Sequence, residues 1–66
     1  MMTKEEIYQN AMVALLQDYN ICCKAANRGR ELGCDELAEK FAKSAEETKN
    51  KIEWLRSELE KLQEVV

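Results

Sequence analysis

The sequence predicts an all-α fold, an antiparallel hairpin of two helices over about residues 3–32 and 35–64 that self-associates, most simply into a dimeric four-helix bundle. Three observations predict it. First, Tyr8, Met12, Leu15, Tyr19, Cys22, Ala26, Gly29 and Gly33 advance by alternating steps of four and three, as do Cys34, Ala38, Phe41, Ala45, Thr48, Ile52, Leu55 and Leu59. Each member of the first set has a counterpart in the second with which its number adds to 67, as two helices folded back at Gly33 and Cys34 along one seam require. Second, the chain has no proline and only two glycines, one of them at the fold point. Third, its apolar residues spread over more of each helix than a single neighbour can cover.

The first helix starts at Thr3-Lys4-Glu5-Glu6, a capping box in which the Thr3 hydroxyl accepts the Glu6 amide proton and the Glu6 carboxylate reaches back to the Thr3 N–H. Met2 and Ile7 occupy the staple positions on either side of it. Lys24, Arg28 and Arg30 suit the negative end of the dipole, and Gly33 can take the left-handed capping conformation. Asp35 is the expected N-cap of the second helix, with Glu36 and Glu39 in its first turn. Three pairs in the favourable order follow, Glu36 to Lys40, Glu39 to Lys43 and Glu47 to Lys51, each worth ~0.3–0.5 kcal/mol.

Self-association follows from width. With Leu15 at the centre of the first helix, Ile7, Ala14 and Ala25 flank the seam on one side and Leu16 and Cys23 on the other, at ~100° per residue. The second helix adds Leu37, Leu62, Val65 and Val66. A single domain of 66 residues buries only ~60% of the surface its unfolded chain exposes, so a staple or a partner is expected.

Composition narrows the function classes. Thirteen acidic residues against ten basic ones, interleaved along the chain, offer no broad basic surface, so no nucleic-acid partner is expected. The longest apolar run, Ala11 to Leu16, is too short to cross a bilayer, so no membrane partner is expected either. Three cysteines without an apolar leader point to free thiols in a reducing cytoplasm.

The stretch GCDELAEKFAKSAEE at residues 33–47, followed by Trp54 and Leu55, resembles the helical hairpin of ferritin-like and rubrerythrin-type proteins, over roughly Leu15 to Leu59. In that family a glycine turn leads into a helix with a phenylalanine, then small residues, then a glutamate and a histidine three positions on. The resemblance implies a half-bundle, and the chain departs from the family at the metal ligands. Aligned through Gly33 and Phe41, those ligands would fall at Leu15, Thr48 and Lys51, none of which supplies the carboxylate or imidazole of a di-iron site. The chain has no histidine, so a relative with packing in place of metal is expected, without a cofactor.

Other constellations read as packing. Cys22 lies on the seam about three turns from Cys34, too far for a disulfide within one chain. Asp18 and Glu47 lack the nucleophile, histidine or glycine-rich loop that acid–base chemistry needs, and read as edge charges; Asp18 and Arg28 could flank a dimer seam. No enzyme activity is expected. Trp54 faces nearly opposite Ile52 and Val13 is turned outward on the first helix, which makes these two the candidate contacts for a partner protein. The expected function is a non-enzymatic, homo-oligomeric interaction module of the kind small bacterial or phage genomes encode, a regulator, adaptor or inhibitor of another protein. The alternative is a bundle that holds a small molecule or anion around Tyr19, Cys22 and Lys51. A degenerate ferritin-like metal protein ranks third.

Overall fold

The computed structural model describes residues 1–63 and consists of two α-helices, α1 (Lys4–Glu31) and α2 (Asp35–Gln63), packed antiparallel along their length. At ~1.5 Å per residue, helices of 28 and 29 residues each run about 43 Å, and the hairpin measures 52 × 20 × 12 Å. The expected end of the second helix at Glu64 and the added apolar residues Val65 and Val66 lie outside the described residues.

Local chemistry sets both ends of α1. Thr3 sits extended at φ −76°, ψ 163°; the Glu6 N–H donates to its hydroxyl at 3.1 Å, and the Thr3 N–H donates to the Glu6 carboxylate at 3.3 Å, so the capping box forms. The staple beside it is loose, since Met2 and Ile7 are both about half exposed. At the other end Gly33 takes φ +74°, its N–H donates to the Arg30 carbonyl at 3.1 Å, and the Cys34 N–H donates to the Gly29 carbonyl at 2.7 Å. These two bonds make a Schellman motif, which requires a left-handed residue at the glycine.

That motif moves the start of α2. Asp35 is its first residue and not the residue before it, because the Cys34 carbonyl already accepts the Ala38 N–H at 3.1 Å. Cys34 thus closes one helix with its N–H and opens the next with its C=O. Of the three expected ion pairs, Lys40–Glu36 forms at 3.4 Å; the others recorded among the described residues are Arg28–Glu31 at 3.2 Å and Lys61–Glu58 at 3.7 Å. All are surface pairs between adjacent turns, whose net worth is ~0–1 kcal/mol, so they do not hold the hairpin together.

The core is a single file along the seam. Cys22, Ala26 and Gly29 of α1 and Ala38, Ala45, Thr48, Ile52 and Leu55 of α2 are buried. Tyr8, Met12, Leu15, Tyr19 and Leu59 are half-buried along the same line. Phe41 departs from it, with 36% of its surface exposed. The reason lies opposite. Near the turn the seam is built from Ala26, Gly29 and Ala38, and the helices approach too closely to admit a phenyl ring, which turns out beside Leu37 and Lys40.

Candidate interaction surface

The seam leaves much apolar surface uncovered. Among the described residues no large side chain is completely removed from solvent; Leu55 comes nearest, with 3% exposed. Ile21 and Leu32 are exposed by 61% and 68%, and Ile7, Val13, Leu16, Leu37 and Trp54 are exposed as well.

The two faces of the hairpin differ. On one, a groove of about 260 Å³ is lined by Tyr19, Cys23, Asn27 and Arg30 of α1 with Ala42 and Glu46 of α2. A second of about 220 Å³ joins Leu16 and Tyr19 to Lys49, Glu53 and Arg56. This face carries charges of both signs interleaved with apolar side chains, the exposed Leu16 among them. Neither groove includes Cys22 or Lys51, so within one hairpin Tyr19 is the one of the three expected pocket residues that lines these grooves. Cys22 is buried in the seam and Lys51 is exposed on α2, so only Tyr19 reaches the groove wall.

The opposite face carries the stripe one residue before the seam on α1. From residue 7 to residue 32, in steps of four and three, it holds only isoleucine, alanine and leucine apart from Asp18 and Arg28. On α2 the same side presents Leu37 and Phe41, which with Cys34, Glu36 and Lys40 line a groove of about 250 Å³. Sequence reasoning identified Ile7, Ala14 and Ala25 as flanking residues but passed over Ile21 and Leu32. Their spacing was the available signal.

Trp54 is not turned wholly away from the seam. Its ring lies 6.3 Å from that of Tyr8, tilted by 50°, and the Lys4 ammonium stands 5.5 Å over the Tyr8 ring. A helical wheel fixes only the direction of Cβ; the long indole folds back across the helix to a half-buried neighbour and still leaves 58% of Trp54 exposed. Val13 lies five residues beyond Tyr8, ~140° around α1, so the two candidate partner contacts do not form one patch.

Asp18 has a task within the hairpin. The Thr48 hydroxyl, in a residue only 5% exposed, donates to Asp18 Oδ2 at 3.1 Å. Asp18→Ala strands that hydroxyl and is expected to lower stability by about 1–2 kcal/mol, whereas Asp18→Ala combined with Thr48→Val recovers most of the loss. Chemical denaturation of the four members of this cycle checks it.

The thiols differ in the same way. Cys22 is buried, Cys23 is half-buried and Cys34 is exposed at the turn. Burial pushes the Cys22 thiol above its usual range, and the nearby Asp18 carboxylate adds to the shift. The Cys23 thiol beside the Tyr19 hydroxyl raises that phenol as well. Both groups ionise at higher pH in the folded chain than in the unfolded one. Their contribution is therefore constant below the ordinary thiol range and is lost as pH rises through and beyond it. Denaturation midpoints should hold steady to about pH 8 and fall above about pH 9, and Cys22→Ala should blunt the onset of the fall.

Among the described residues no group of three or more cysteine, aspartate or glutamate side chains is placed to hold a metal ion, and no helix is long and apolar enough to cross a membrane. Compared with protein-family models, curated proteins and solved structures, the chain matches none.

Proposed function

We propose that this chain is a non-enzymatic interaction module whose working form is a homo-oligomeric helical bundle, in its simplest form a dimer of hairpins, and that the outer surface of the bundle is what a protein partner binds. The observation that carries this reading is the thinness of the core: a single file of mostly small side chains, with isoleucine, leucine and tryptophan left in water on both helices. Exposed apolar surface on this scale marks an interaction site, and a second layer of helices is the ordinary way to cover a helical face. The same reading accommodates the ferritin-like resemblance, as a half-bundle that pairs through packing at the positions where that family holds metal.

Sedimentation equilibrium at micromolar concentration tests it. The expected mass is twice the 7.7 kDa of one chain, or a higher multiple, with full helical circular dichroism. A folded species at 7.7 kDa across that range overturns the reading.

A further inference from the structure

We propose that a second copy of this chain docks on one face only, the face of Ile7, Ile21 and Leu32, with α1 lying antiparallel on the α1 of its partner. The proposal rests on the self-association reading above and adds which surface does the work and in which direction.

Four observations carry it. The two faces differ in degree: one mixes Leu16 and Tyr19 with Asn27, Arg30, Lys49 and Glu53 along its grooves, and the other carries on α1 a heptad-spaced stripe beside the seam that is apolar except at Asp18 and Arg28. The hairpin is large enough to supply such a contact. Its whole outline of 52 by 20 Å, charged margins included, is roughly 1,000 Å², against the roughly 800 Å² per partner of a standard stable interface. The stripe is also self-complementary, as a two-fold contact must be. Read from either end it places Ile7 level with Leu32 and Ala14 level with Ala25, with Asp18 and Ile21 about the centre. The alanines let two α1 helices approach closely, and the one charge near the centre, Asp18, is already engaged by the Thr48 hydroxyl of its own chain.

The fourth observation comes from the other helix. The hairpin is rigidly paired, with α1 and α2 residues at one level adding to about 67, so the register chosen on α1 dictates the register between the two α2 helices. That register brings Phe41 level with Trp54 of the partner copy. These are the two aromatic residues that the seam leaves exposed. A choice made on the apolar pattern of one helix thus places the unpaired aromatics of the other together.

The test compares variants on the two faces by sedimentation, with circular dichroism as the check on folding. Ile21→Glu is expected to reduce the assembly to single hairpins, and Asn27→Glu, on the opposite face, to leave it intact. If Ile21→Glu also loses helix, the neutral Ile21→Gln replaces it, with an expected weakening of assembly of about tenfold or more. In a chain carrying Cys22→Ala, Cys23→Ser and Cys34→Ser, Ile21→Cys is expected to form a disulfide between copies on mild oxidation, because this residue lies next to the two-fold axis. An assembly indifferent to Ile21→Glu and Ile21→Gln, or one broken by Asn27→Glu, overturns the choice of face. An assembly that Ile21→Glu breaks but Ile21→Cys never links overturns the contact between α1 helices. A monomeric parent chain overturns the self-association reading itself, which separates that failure from the other two.

Discussion

Leu55→Asp is expected to abolish the cooperative thermal transition of the hairpin and most of its helical circular dichroism at 25 °C. Leu55 is the most buried large residue of the seam, with 3% of its surface exposed, and among the described residues only one other branched aliphatic side chain, Ile52, is buried with it. Removing the leucine alone costs about 2–5 kcal/mol through lost transfer energy and the cavity left behind. A carboxylate at this position adds the penalty of an unpaired buried charge, since no basic side chain is among the buried residues. A chain of this length holds about 3–10 kcal/mol in total, so the sum exceeds what is available. Leu55→Met, which nearly conserves volume, is the companion variant and should cost under about 1.5 kcal/mol. Retention of a cooperative melt by Leu55→Asp would mean that the seam is not where the hairpin is held.

Gly29→Val is expected to produce the second largest effect, a loss of about 1–3 kcal/mol from forced separation of the helices, read as a lower denaturation midpoint. A Cβ built at Gly29 would stand 2.8 Å from Leu37 Cδ2, 3.0 Å from the Ala38 nitrogen and 3.2 Å from the Ala38 Cα. Leu37 is partly exposed and can swing aside, but the α2 backbone cannot move without reopening the turn. Glycine in a helix interior is itself unfavourable by ~1 kcal/mol relative to alanine, so Gly29→Ala offsets part of its clash and Gly29→Val, with two further methyls, does not. Gly33 is needed for a different reason. Nothing lies within 4 Å of its would-be Cβ, and the constraint there is φ +74° alone. Gly33→Asn should therefore be tolerated far better than Gly29→Asn, since asparagine accepts the left-handed region but still brings a Cβ against Ala38.

Both glycines stood on the same heptad stripe, and the sequence distinguished them only in part. The turn at Gly33 was legible because a left-handed cap needs a residue without a Cβ, a requirement of one position. The close approach at Gly29 was not, because it depends on Ala26 and Ala38 as well, and the gap between helices is set by small residues on both sides at once. Phe41 followed from the same cause. It has the spacing of a seam residue and is displaced from the seam by the size of its neighbours.

The candidate surface divides likewise. The breadth of the apolar arc was visible as flanking residues, whereas the grooves that mix α1 and α2 side chains on each face appear only when the two helices are set side by side. Trp54 shows the limit of a helical wheel, which gives the direction of Cβ and says nothing of where a long ring folds back.

By itself the sequence determined the number of helices, the capping box at Thr3, the turn at Gly33 and the line along which the helices meet. Each of these depends on one residue or on a period that every turn repeats. Only the tertiary structure decided that Asp18 holds the Thr48 hydroxyl, that Tyr8 meets Trp54, that Phe41 turns outward and that Ile21 and Leu32 share a face with Leu37. These outcomes depend on the distance and level between two helices, a quantity that both side-chain sets fix together and that neither encodes alone.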